Sequence, residues 1–266
     1  MNVPQADEKS KGFDGTRIGR PPEVKPAPTP VTAPTALAKP AAPTYTCPYP
    51  ATLIAIVGPS GSGKSTALRN LPPSSTRIMD MEKKGMPFKV ADADYISRCD
   101  RVQEFKDWLK KQSRDPAVHV IVIDSITALI DMLQVECESS YKGFDIWKYY
   151  NDGIQQLCND FKKTGKTVIV TALDEIVQIQ GLDGQITTQR RIFIQGKEWA
   201  NKGIESECLA VWTSFAKKDK ESGNMNYQLA TQTDGITKAK TPMFWNLPGA
   251  VGNDLHAILE KVAKNL

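Results

Sequence analysis

The chain reads as an α/β protein built on a mostly parallel, twisted sheet with helices packed on both of its faces. Three observations predict this. Apolar, β-branched runs at Thr52–Val57, 118–123 and 167–173 have the length and composition of strands buried on both sides. Helix-period stretches separate these runs, as crossover connections between parallel strands require. A glycine-rich turn follows the first run directly, at the sheet edge where such folds bind ligands.

The organised part of the chain starts late. Ten of the eighteen prolines fall between Arg20 and Pro50, in a stretch rich in Ala and Thr and without apolar periodicity. Such a segment buries too little surface to offset its chain entropy. Residues 1–48 are therefore expected to be a disordered, partly polyproline-II arm, with 49–266 as a single α/β domain. The scattered apolar residues of the arm lack the compact core of a signal peptide. No run approaches the length of a membrane-spanning helix. The charge of +4, from 34 basic and 30 acidic residues, neither demands nor excludes nucleic acid, so any nucleic-acid footprint must be local. Five dispersed cysteines, 47, 99, 137, 158 and 208, form no Cys-x-x-Cys pair, which argues against a disulfide framework and a zinc site and points to a reducing cytoplasm.

Along the domain the elements alternate. The strand at Thr52–Val57 runs into the glycine-rich turn and a predicted helix over 64–71. Residues 76–81 read as a strand, and 101–112 as a helix with Val102, Phe105 and Leu109 on one face. The strand at 118–123 is followed by Ile126, Leu129, Ile130 and Leu133 at helical spacing, and then by a second helix marked by Tyr150, Ile154, Leu157 and Phe161. After the strand at 167–173, residues 175–195 read as a long polar loop. Strands at 209–215 and 227–232 and a closing helix that starts near Asn253 complete the domain.

The turn itself is Gly58-Pro59-Ser60-Gly61-Ser62-Gly63-Lys64-Ser65-Thr66, the phosphate-loop pattern. Its glycines let successive backbone N–H groups approach phosphate oxygens, next to a helix N-terminus whose dipole favours anions. Lys64 is expected to reach the β- and γ-phosphates and Ser65 to ligand Mg²⁺, which makes ATP and Mg²⁺ the expected cofactors. An ordinary Gly/Ser turn would need neither the Lys-Ser pair nor this spacing.

A triphosphate site also needs carboxylates. Asp124 ends an apolar strand, where P-loop NTPases keep a metal-associated acid; the other reading of this residue is a helix cap. The next residue is Ser125, whereas AAA+ and ABC-type enzymes usually place their catalytic Glu there. The water-orienting acid must come from elsewhere. Glu82, just after the second strand, is the candidate, with Asp80 as its alternative and a solvated loop acid beside Lys83 and Lys84 as the plainer reading.

The run 120–129 and the stretch Met79-Asp80-Met81-Glu82 resemble the core of RecA-like P-loop ATPases, in which a Ser follows the metal-associated Asp and the catalytic Glu follows the neighbouring strand. Lys238 and Lys240 are similar to the paired lysines that such proteins insert into the next subunit's ATP site. With no clear extra domain, the chain looks most like the phage single-domain members that serve single-strand annealing and recombination. The resemblance covers about residues 51–260. It implies an ATPase acting on single-stranded DNA as a filament or ring, in company with DNA-replication or recombination proteins and, if phage-encoded, in the host cytoplasm. One departure stands out: the strand at 167–173 ends in Thr171-Ala172-Leu173-Asp174 with no Gln or His to sense the γ-phosphate, leaving Thr171 or Asp174 for that role.

Two DNA-contact regions are expected. One is the polar loop with Arg190 and Arg191 near its end. The other is Tyr141, Lys142 and Phe144, where rings alternate with amines as single-strand binding requires, while Trp147 and Tyr150 are read as core. Two other functions share the phosphate loop. A nucleotide or small-molecule kinase would need an Arg-rich lid, which only Arg190-Arg191 could imitate. A nucleotide-gated adaptor in replication or packaging would bind ATP and hardly hydrolyse it.

Overall fold

The computed structural model describes residues 49–90, 93–180, 184–220 and 223–266; the predicted arm at 1–48 lies outside the described residues. Among the described residues there are ten strands and five α-helices. Strands β1 (Thr52–Val57), β2 (Thr76–Asp80), β3 (Ile96–Ser97), β4 (Val120–Asp124), β5 (Thr167–Ala172) and β8 (Ala210–Lys218) lie parallel. Strands β9 (Met225–Ala230) and β10 (Ala250–Gly252) extend the sheet as antiparallel neighbours, giving the order β10-β9-β8-β1-β5-β4-β2-β3. The expected mostly parallel sheet is present. Crossovers put β5 and β8 on either side of β1, so the phosphate loop leaves the middle of the sheet.

Alternating side chains along the central strands feed two cores. Leu53, Ala55, Val57, Ile121, Ile123, Val168 and Val170 face α1 (Val102–Arg114), α2 (Ile126–Ser140) and α3 (Phe144–Lys163). Ile54, Ile56, Val120, Val122 and Ile169 face the opposite way, toward Leu68, Trp245 and the apolar stripe of α5 (Leu255–Lys264). Strands covered on both faces can be apolar at every position, which is why these runs show no alternation in sequence.

Three expectations change. The helix predicted over 64–71 is only a short 3-10 turn, Ser65–Leu68, because Pro72 and Pro73 close off any continuation. The polar loop at 175–195 is instead a two-stranded ribbon of β6 (Asp174–Gln180) and β7 (Ile186–Ile192), followed by α4 (Lys197–Lys202). A ribbon with solvent on both faces needs no apolar side, so its sequence carries β-branched residues without a hydrophobic stripe. Trp147, read as core, is 41 % exposed, whereas Tyr150 is fully buried. Their rings meet edge to face at 5.9 Å.

Candidate nucleotide site

An open cavity of about 550 Å³ lies beyond the C-terminal ends of β1, β2 and β4. Loop residues Ser60, Gly61, Gly63, Lys64, Ser65 and Thr66 line it from one side, and Glu82, Lys84, Asp124 and Ser125 from the other. Chain positions far apart thus converge on one place because parallel strands deliver all their C-terminal ends to one edge of the sheet.

The loop is held from behind by elements that sequence reasoning did not single out. Ser214 Oγ donates to Ser62 O at 2.6 Å, Asn253 Nδ2 donates to Gly63 O at 3.0 Å, and Arg69 Nη1 donates to Asn253 O. Gly58 must be glycine on packing grounds, since a Cβ there would stand 2.6 Å from the carbonyl oxygen of Ser214. At Gly63 two constraints coincide: φ is +94° and a Cβ would meet Tyr227 Cδ1 at 2.8 Å and Asn253 Nδ2 at 2.9 Å. Tyr227 also lines the cavity. Its place, like those of Ser214 and Asn253, depends on β8, β9 and the start of α5 packing beside the loop, and no local motif announces it.

Lys64 turns back over its own loop, donating to Gly58 O at 2.7 Å and Pro59 O at 2.8 Å. Burial pushes its pKa down, against the pull of Asp124, Asp174 and Glu82. Asp124 is almost wholly buried; it accepts a hydrogen bond from the Thr171 hydroxyl and is hydrogen-bonded to Ser65. Burial raises its pKa, opposed by those two hydroxyls. Asp124 does not cap the following helix; Ser125 does, accepting from Ala128 N through its Oγ at 3.4 Å. The Asp124–Ser125 peptide is cis.

Glu82 is anchored at both oxygens. Ser125 Oγ donates to Oε1 at 3.0 Å and Lys84 Nζ to Oε2 at 2.5 Å. Burial would raise its pKa, but the hydrogen bonds from Lys84 and Ser125 bring it below the ordinary glutamate value. Asp80 is engaged elsewhere, accepting from Gly85 N at 2.9 Å and Arg98 Nε at 3.1 Å. That removes it as the alternative to Glu82, because its carboxylate shapes the turn after β2 instead of facing the cavity.

The remaining predicted residues lie apart from this cavity. Lys240 is exposed and pairs through its backbone with Val211 near the start of β8, and Lys238 is half-buried beside Gly203. Neither lines the cavity of its own chain. Arg190 is tied to Asp174 at 2.6 Å and Arg191 to Glu175 at 2.8 Å across the ribbon. Both arginines, expected on a free loop, are therefore partnered by carboxylates of the adjacent strand. Tyr141, Lys142 and Phe144 are exposed at the turn between α2 and α3.

A family model described as an AAA domain matches residues 51–242. The chain belongs to this family. With the phosphate loop in that span, the AAA-domain match makes the protein a P-loop ATPase, which binds and hydrolyses nucleotide. Its fold is the mostly parallel α/β sheet with helices on both faces that was expected from sequence. The adjacent Asp-Glu pair of many AAA enzymes is absent from this AAA-domain protein, and the glutamate that lines the cavity beside Asp124 is Glu82 from the neighbouring strand. No curated protein matches the chain. Among solved structures it is similar to a KaiC-like protein from the hyperthermophilic archaeon Pyrococcus horikoshii, at 13 % identity over 73 % of this chain and 83 % of that one, with a TM-score of 0.41. Among the described residues, no helix is long and apolar enough to cross a membrane.

Proposed function

We propose that this ATPase uses Mg-ATP to act on single-stranded DNA in phage recombination or replication, working as a filament or ring of identical subunits. The observation that carries the DNA half of this reading is the surface where α3 begins. Phe144 is 93 % exposed there, the rings of Tyr141 and Tyr149 stack at 3.9 Å, and Lys142 and Lys148 stand among them. Rings that solvent can reach cost free energy unless something covers them, and bases stack on rings regardless of sequence while amines track phosphates.

On the nucleotide side, the loop from Gly58 to Thr66 cradles the phosphates and Lys64 leaves its loop carbonyls for them. Ser65 and Asp124 offer the hydroxyl and carboxylate oxygens that suit Mg²⁺, and their mutual hydrogen bond already brings them together. Bound there, the metal would neutralise charge on the phosphates. Glu82 orients the attacking water and accepts its proton. Lys238 and Lys240, remote from their own cavity, act on the site of a neighbouring subunit. DNA-replication or recombination proteins are the expected partners.

ATP hydrolysis measured with and without single-stranded DNA tests this reading. Stimulation by DNA supports it. Turnover that requires a small acceptor would favour a kinase, and tight ATP binding with negligible turnover a nucleotide-gated adaptor; either result would overturn it. Lys64→Ala serves as the control and should remove phosphate contacts and abolish turnover.

A further inference from the structure

The turn after β2 carries two adjacent lysines with different surroundings. Lys83 has φ of +57° and points its amine to Asp100, outside the cavity. Lys84 lines the cavity and reaches Glu82. The backbone between them and the sheet is fixed by buried Asp80, whose Oδ2 accepts from Gly85 N at 2.9 Å and from Arg98 at 3.1 Å. The root of Lys84 is thus held at the cavity rim while its side chain stays 76 % exposed and able to move.

The amine sits among the groups that handle phosphate. It is close enough to Lys64 for the two cations to repel, and it feels the carboxylates of Asp124 and Asp80 as well as that of Glu82. An ion pair this exposed is held weakly, because water screens it and competes for both partners. A terminal phosphate brings more charge to the same place and has several acceptor oxygens. The pair with Glu82 is therefore a contact that an incoming triphosphate can displace, and a diphosphate, one phosphate shorter, cannot do so as well.

We infer that Lys84 is a second phosphate-binding cation of this site, which leaves Glu82 for the terminal phosphate of ATP and so frees Glu82 Oε2 to hold the attacking water. The inference rests on the ATPase reading. Ser125 keeps Oε1 in place throughout, so the carboxylate stays oriented while one oxygen is released. The empty site carries a neutralised glutamate, and the filled site an exposed one. Discrimination between ATP and ADP follows from a residue of the same chain, in addition to anything a neighbouring subunit supplies.

The test compares the full chain with Lys84→Met and Lys84→Arg, measuring the affinity of a non-hydrolysable ATP analogue and of ADP, each with Mg²⁺, and kcat for ATP. Lys84→Met is expected to weaken the ATP analogue roughly tenfold, change ADP less than about twofold, and lower kcat; Lys84→Arg should recover most of the loss. An unchanged melting temperature separates this from misfolding, since the side chain is exposed. Equal losses for both nucleotides, or no loss for either, would overturn the role of Lys84 and leave the ATPase reading standing. A wild-type protein that binds neither nucleotide would overturn the ATPase reading, and the inference with it.

Discussion

Ser125 Oγ donates a hydrogen bond to Glu82 Oε1 at 3.0 Å, joining the ends of two neighbouring strands. The register explains the contact. Asp80 of β2 pairs with Asp124 of β4, so the residues just beyond each strand leave the sheet side by side. One hydroxyl then does two jobs, capping α2 through Ala128 N and orienting the glutamate. Glu82→Gln keeps the shape and the hydrogen-bonding reach but removes the base. Nucleotide affinity should stay within a fewfold of wild type while kcat falls about 10²–10⁴-fold; single-turnover hydrolysis measures both. Turnover at the wild-type rate would eliminate Glu82 as the base.

Gly63→Ala addresses the packing behind the phosphate loop. The new methyl would collide with Tyr227 and Asn253 at a backbone φ that side chains disfavour. A loss of about 1–3 kcal/mol is expected in denaturant unfolding, along with weaker nucleotide binding, because the N–H groups of the loop would shift. Gly61→Ala provides the contrast, since the space around it is open and only its φ of +76° opposes the change.

Glu207 predicts a pH dependence of stability. It accepts from Lys162 of α3 and from Lys202, the latter at 2.6 Å, and these hydrogen bonds hold its pKa down at about 2 against a modest opposing effect of burial. A carboxylate with a depressed folded-state pKa adds stability that is complete above its ordinary value near 4.5 and disappears as pH falls through about 2. Because both lysines are nearly half exposed, screening limits the contribution to about 1 kcal/mol. Glu207→Gln should therefore lower stability at pH 7 and match wild type near pH 2 in urea titrations.

Phe144→Ala separates DNA contact from folding. The ring is 93 % exposed, so its loss should leave the melting temperature unchanged. Affinity for single-stranded DNA should fall about tenfold, the scale of one base-stacking contact. Fluorescence anisotropy with a labelled oligonucleotide reads this directly, and unchanged affinity would remove Phe144 from the DNA surface.

Much of this was readable in the chain. Buried strands announce themselves because both faces must be apolar, and the bounds of β1 coincide with the run read from sequence. Exposure at Tyr141 and Phe144 followed from their place outside the apolar stripe of α3. The ribbon of β6 and β7 was not readable as strand. It has little to bury, and its register sets Glu175 opposite Arg191 and Asp174 opposite Ile192, within reach of Arg190, in a way that only the folded ribbon displays. Trp147 continued the helical pattern, yet the residue is 41 % exposed at the first turn of α3, its ring meeting Tyr150 edge to face.

The sequence by itself determined that a phosphate loop follows a buried strand, since that motif is local and each residue acts within a few positions of its neighbours; the helix read after it is a shorter 3-10 turn. It also placed Asp124 and Glu82 at strand ends. Only the tertiary structure decided that Glu82 rests between Ser125 and Lys84, that Asp80 is spent on Arg98 and Gly85, and that Tyr227, Ser214 and Asn253 brace the loop. Those contacts depend on strand order and register, which bring together positions up to 190 residues apart, and no spacing along the chain encodes them.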